Sequence, residues 1–128
     1  MINFNKNSVF NLTPIDTNSI RGEVNGLLID GEFVNQAFKT VRDQIIFTNK
    51  RIIAIDVQGI TGKRKSFSSL PYSKIQYFAV QTPGFVEIIR DSELFLQFAD
   101  GFTATFEFKN GVDIGAIGRM ISEYVLKA

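Results

Sequence analysis

"ELFLQFADGFTATFEF", Glu93 to Phe108, is the stretch whose reading decides the fold class. Leu94, Leu96 and Phe98 alternate with Phe95 and Gln97, and Phe102, Ala104, Phe106 and Phe108 alternate with Thr103, Thr105 and Glu107. A period of two is the mark of strands with one face buried. Paired residues of a hairpin share a face, so the apolar set dictates the register. Phe98 must oppose Phe102, Leu96 must oppose Ala104, and Leu94 must oppose Phe106. That leaves Ala99-Asp100-Gly101 as a three-residue loop, with Gly101 at the position that needs a left-handed backbone. A two-residue Asp-Gly turn would set Phe98 against Thr103 and split the apolar face.

The β pattern extends upstream to Glu32. "QIIFTNKRIIAID" (residues 44–56) reads as a tight hairpin turning near Asn49, a residue that tolerates left-handed φ. Ile45-Ile46-Phe47 and Ile52-Ile53-Ala54-Ile55 are apolar on both faces and so need cover on both sides. A helix, the N-terminal arm or another copy of the protein would supply it. Gly59 and Gly62 mark a loop, "KRKSFSSLPYSKI" an edge strand ended by Pro71, and "IQYFAVQ" a further strand turning at Pro83-Gly84 into "FVEIIRD". On the flanks the spacing becomes helical. Ile20, Val24, Leu27 and Leu28 form one stripe that predicts an N-terminal helix stopping at Asp30-Gly31, although Gly22 and Gly26 each cost about 1 kcal/mol against Ala there. Ile114, Ile117, Ile121, Tyr124 and Val125 predict a C-terminal helix, with Asp113 as N-cap and Lys127 near its end. Residues 1–17 are polar and read as an arm, and residues 18–128 as a single domain. Helix, about seven short strands, helix points to a sandwich or partly open barrel plugged by a helix.

Composition narrows the function. The 128 residues suit one domain, and 45% hydrophobic content with 13 Phe supplies a core. There is no Cys, which excludes disulfides and thiolate metal sites and suits a reducing compartment. With 14 basic and 13 acidic residues the chain has no global field to attract DNA or RNA, so no nucleic acid is expected. The start lacks the basic-then-apolar pattern of a secretory signal, and no apolar run nears the roughly 18 residues that cross a bilayer. The expectation is a soluble cytoplasmic protein. Without His or Cys the common bases, the thiol nucleophile and most zinc ligand sets are missing, so no catalytic residue, metal or cofactor is predicted. The near pairs Asp30/Glu32 and Asp91/Glu93 read as turn residues. A Ser–Lys dyad from Ser66 or Ser73 with Lys65 or Lys74 rests on adjacency alone. "GITGK", Gly59 to Lys63, has two residues between its glycines where a phosphate loop has four, and Arg64 follows the Lys where Ser or Thr should stand.

One run is recognisable. Arg42-Asp43, Phe47-Thr48-Asn49-Lys50-Arg51, Asp56, Gly59, Thr61-Gly62-Lys63, Pro71-Tyr72 and Ile75, with Gly31-Glu32 upstream, resemble the bacterial pleckstrin-homology domain family over about Asn18 to Val125. The resemblance implies a seven-stranded, strongly bent sandwich with its C-terminal helix closing one end. It also implies assembly into ring-like homo-oligomers, in a family whose cellular role is largely undefined. Eukaryotic pleckstrin-homology domains often bind phosphoinositide headgroups through basic residues around the first strand-to-strand loop. Here that loop is "KTVRDQ", which offers Lys39 and Arg42 with Asp43 beside them.

Two sets of candidate site residues follow. Lys39, Arg42, Lys63, Arg64 and Lys65 are the candidates for contact with an anion, at about 1 kcal/mol per charge near an acidic surface. Against this, edge strands carry Lys and Arg to prevent unwanted pairing, and an extended segment points Lys63 and Lys65 away from Arg64. Lys50-Arg51 is expected to be solvated or paired with Asp43 or Asp56. Ile45, Ile46, Ile53, Ile55 and Phe95 form the surplus apolar surface and are the candidates for an oligomer interface. The expected function is a non-enzymatic module that assembles with itself and presents a surface to a protein partner. The alternative is a peripheral binder of anionic lipid headgroups or phosphoanions.

Overall fold

The computed structural model describes residues 8–82, 91–109 and 111–127. It divides into two compact units. One is built on Pro14–Pro71, the other on the described parts of Ile2–Thr13 and Tyr72–Ala128.

The first unit holds a four-stranded antiparallel meander. Strand β1 (Ser8–Ile15) comes first in the chain, and its last residues reach this unit. Then follow β2 (Val34–Lys39), β3 (Gln44–Thr48), β4 (Arg51–Gln58) and β5 (Arg64–Pro71), with each strand of the meander paired to the next. Among the described residues β5 is the outer strand, and Pro71 ends it as expected. One face of the meander carries Ala37, Ile46, Ile53, Ile55 and Val57, packed with partly buried Val34 and Phe67 of its own strands and with Val24, Ile15, Ile20 and Leu28 from outside the meander. The opposite face carries Phe38, Ile45, Phe47, Ile52 and Ala54, also buried, with the Phe38 and Phe47 rings edge-to-face at 5.7 Å.

The N-terminal helix predicted from Ile20 to Leu28 does not form. The segment makes two short 3₁₀ turns instead, Thr17–Ser19 and Gly22–Gly26. Gly22 and Gly26 cost helix stability, and with only Val24 of the stripe fully buried, packing does not repay the ordering of an α-helix. The stripe still does its hydrophobic work, since Ile20, Val24 and Leu28 all lie against the meander.

The second unit pairs β6 (Ile75–Gln81), β7 (Ser92–Phe98) and β8 (Thr103–Phe108) antiparallel, and the first part of β1 lies parallel to β8. The β7–β8 register is the one the apolar alternation demands: Leu94 faces Phe106, Leu96 faces Ala104, and Phe98 N–H donates to the Phe102 carbonyl. Gly101 sits at φ 92° in the three-residue loop. Burial alternates residue by residue along both strands. Helix α1 (Ile114–Leu126) packs on β6 and β7 through Ile114, Ile117, Met120 and Ile121. Its Asp113 cap accepts from Ala116 N at 3.0 Å. Gly118 lets the helix come close to β6, where a Cβ would lie 3.1 Å from Val80 Cγ1. Tyr124 stacks on Tyr72 at 5.1 Å.

The strands between Glu32 and Phe108 are thus present as β2 to β8, and the polar arm adds β1. The expected turn at Pro83-Gly84 and most of the "FVEIIRD" strand lie outside the described residues.

Candidate functional site

The β2–β3 and β4–β5 connections leave the same end of the meander, and Arg42 ties them together. Its Nη2 donates to the Gly59 carbonyl at 2.6 Å. Arg21, from the 3₁₀ segment, donates through Nη2 to the Arg42 carbonyl at 2.8 Å. The first loop is braced from within. Thr40 N donates to the Asp43 carbonyl at 3.0 Å, and Asp43 N donates to Thr40 Oγ1 at 3.2 Å. The Asp43 carboxylate is buried and accepts from Val57 N at 2.8 Å, which fastens the loop to β4. The second loop turns at Gly59 and Gly62, both left-handed, with Gly62 N donating to the Gly59 carbonyl.

This bracing settles the surroundings of the basic candidates. Lys39, Arg42, Lys63 and Arg64 are exposed. One Arg42 nitrogen is engaged with Gly59, and a guanidinium has five donors in all. Lys65 is different: it pairs with Glu23 at 2.6 Å and is half-buried. The Glu23 carboxyl is held below its usual range, first by the hydrogen bond from Lys65. The register sets Gln58 opposite Arg64 and Val57 opposite Lys65, so adjacent Arg64 and Lys65 point to opposite faces. Sequence reasoning missed Arg21, for which residue order carries no signal.

Two apolar side chains stand on these loops. Val41 is 98% exposed and Ile60 is 104% exposed. Neither loop carries an exposed acid: Asp43 is buried, and residues 59–63 contain none.

The interface candidates are placed otherwise. Ile45, Ile46, Ile53 and Ile55 are all fully covered within the chain, so they offer no exposed surface for a second copy. The two-faced hairpin demanded cover on both sides, and the protein supplies it itself. Phe95 is half-buried and faces out from β7 beside Tyr77 of β6, with ring centroids 6.1 Å apart.

Arg51 does not meet Asp43 or Asp56. It forks onto Glu32, with Nε to Oε2 and Nη2 to Oε1 both at 3.0 Å, and a further nitrogen donates to Ser69 Oγ. Thr48 Oγ1 donates to Glu32 Oε2 at 2.6 Å and accepts from Lys50 N and Arg51 N, each at 3.0 Å. That hydroxyl shapes the Asn49-Lys50 turn. Asn49 is not left-handed, since Asn11 is the described non-glycine residue with positive φ. Its amide instead bridges Gly31 and Phe33. The recognisable run around Thr48 to Arg51 therefore builds a clamp that holds structure together.

Comparison with known proteins gives a consistent picture. Residues 3–125 match the family model described as "Bacterial PH domain". The uncharacterised protein YjqA of Bacillus subtilis is 36% identical over 112 residues, covering 88% of this chain and 90% of that one. A solved structure of a DUF1696 family protein with a pleckstrin-homology domain from Shewanella loihica superposes with a TM-score of 0.77 at 34% identity, over 91% of this chain and 99% of that one. A pleckstrin-homology domain from Shewanella amazonensis gives a TM-score of 0.65 at 38% identity, over 87% and 89%.

Proposed function

The chain belongs to the bacterial PH domain family, and from that membership we propose that it is a non-enzymatic interaction module whose braced β2–β3 and β4–β5 loops contact phosphate-bearing anions. The observation that carries this reading is the Arg42–Gly59 bond, which holds the two basic loops at one end of the meander. Arg42, Lys63 and Arg64 are then exposed on or beside these loops, and neither loop carries an exposed carboxylate. Lys65 is left out of the contact set because Glu23 already neutralises it. The test is sedimentation with vesicles of mixed acidic and neutral phospholipid, comparing the wild type with Lys63→Ser/Arg64→Ser. At about 1 kcal/mol per charge the double variant binds roughly 30-fold more weakly. Equal binding by both proteins would reject the loops as the site.

Self-assembly is the second reading. It is favoured by the Tyr77–Phe95 pair on the outward face of β6 and β7, where β6 is the outer strand among the described residues of its unit and carries no charged residue. Uncharged edge strands with exposed aromatics are ready-made pairing surfaces. Tyr77→Ser/Phe95→Ser then lowers the mass measured by light scattering. A multimer that survives this pair of changes must be held elsewhere.

A further inference from the structure

Asp56, near the end of β4, is only 3% exposed, yet one of its carboxylate oxygens has nothing to bind. Its Oδ2 accepts from Gln58 Nε2 at 3.0 Å, while Oδ1 meets no donor among the described residues. Burying a charge without a partner is costly, so such an oxygen calls for an ion or a water. A second negative charge stands beside it. The β3–β4 register pairs Gln44 with Ile55, which brings Asp43 alongside Asp56. Asp43 is also buried, and its Oδ1 accepts from the N–H of Val57, the residue after Asp56. On the other side of β4 the register sets Ser66 of β5 directly opposite Asp56, near enough for the two side chains to share one small ligand.

We infer that Asp56 and Ser66, with the Asp43 charge beside them, form a site for Mg²⁺. The donors are all oxygen, and the chain has no His or Cys, so a softer metal finds none of the ligands it prefers. Two carboxylates balance the charge of one divalent ion. Asp43 enters through its charge alone, since its Oδ1 is committed to Val57. Asp56 Oδ1 and the Ser66 hydroxyl are the ligands. No group of three or more acidic side chains gathers to hold a metal among the described residues, so water must complete the shell. That sparse set suits Mg²⁺, which gives up its waters reluctantly and is held by one or two carboxylates. Ca²⁺ takes roughly six to eight oxygens and is poorly served here. Ser66 and Gln58 are only half-buried, which leaves a hydrated ion a way in. The nearby cations do not fill the place. Arg64 lies across from Gln58 and is exposed, and Arg42 Nη2 is on the Gly59 carbonyl. The site lies within the first unit and does not depend on the phosphate-binding reading above.

Mn²⁺ takes the same octahedral oxygen geometry and serves as a paramagnetic probe. Added to the wild type in small amounts, it should broaden the amide NMR signals of Asp43, Val57 and Ser66 ahead of the rest of the chain, and excess Mg²⁺ should restore them. In thermal unfolding, magnesium chloride should raise Tm beyond potassium chloride of equal ionic strength. Asp56→Asn keeps the shape and an oxygen for Gln58, and it should lose both the broadening and the extra rise in Tm. Ser66→Ala should move both responses to higher metal concentration. Broadening that begins at the Glu93 and Glu107 carboxylates instead, or nowhere, overturns the site. So does a magnesium effect that potassium reproduces or that Asp56→Asn retains. If Asp56→Asn does not fold, the place of the broadening in the wild type and its reversal by Mg²⁺ decide the matter. Binding to acidic vesicles is a separate measurement, so failure here leaves the phosphate reading untouched.

Discussion

Glu32 keeps its charge although its side chain is fully covered, because Arg51 and Thr48 meet both of its oxygens. Burial opposes ionisation, and the hydrogen bonds from Thr48, Arg51 and Ile29 N–H outweigh it, so the carboxyl sits below its usual range. A lowered carboxyl stabilises the fold above the ordinary value of 4.5, and that contribution is lost as pH falls through the folded value. Glu32→Gln should therefore cost about 3 kcal/mol at pH 7, by leaving Arg51 without its counter-charge, and should flatten the stability curve below pH 4.5. Urea unfolding at several pH values checks both points. A variant curve parallel to the wild type would refute the assignment. Glu107 has the opposite sign. Burial raises it first, followed by its hydrogen bond with Asp91 and the charges of Asp91 and Glu93. A raised carboxyl contributes stability at low pH that is lost as pH rises through the folded value. Glu107→Gln should accordingly raise the urea midpoint at pH 7, and a lowered midpoint would contradict the raised carboxyl. At this scale the sequence was half legible. Gly101 and Asp113 took their expected roles because each acts on backbone a few residues away. The partners of Arg51 and Lys65 were not legible, since Glu32 and Glu23 lie 19 and 42 residues distant.

At the scale of elements, periodicity was enough wherever burial is one-sided. The β7–β8 hairpin and α1 bury one face each, so the apolar pattern and the packing carry the same information. Asp113→Ala should lower stability by about 1 kcal/mol through the lost α1 cap, which thermal unfolding would register as a small drop in Tm. The segment from Ile20 to Leu28 shows where periodicity fails. Its stripe reports which residues touch the core, and a pair of 3₁₀ turns meets that need as well as a helix does. The hairpin from Gln44 to Gln58 shows a second limit, because a pattern apolar on both faces states that cover exists and not what supplies it. The isoleucines are covered within the chain, which moves their predicted role from assembly to folding. Ile53→Asp places an unpaired charge in a fully buried position and should abolish cooperative unfolding. A soluble, cooperatively folded variant would mean that the site is not core.

For the whole molecule, the mass in solution is the measurement that separates the two proposed surfaces. Light scattering over a concentration series at low and high salt should give a salt-resistant multimer if the Tyr77–Phe95 face pairs copies. A monomer at every concentration leaves the two basic loops as the functional surface. The sequence by itself determined the β-rich class, the register of one hairpin, the closing helix and membership of a family. Each of these depends on local spacing or on a run of residues close in the chain. Tertiary structure alone decided that the isoleucines are core, that Arg51 pairs with Glu32, and that Arg42 straps two loops together to present Val41 and Ile60. Those facts depend on which distant segments meet. A periodic pattern carries the direction of a side chain and leaves open the identity of whatever lies there.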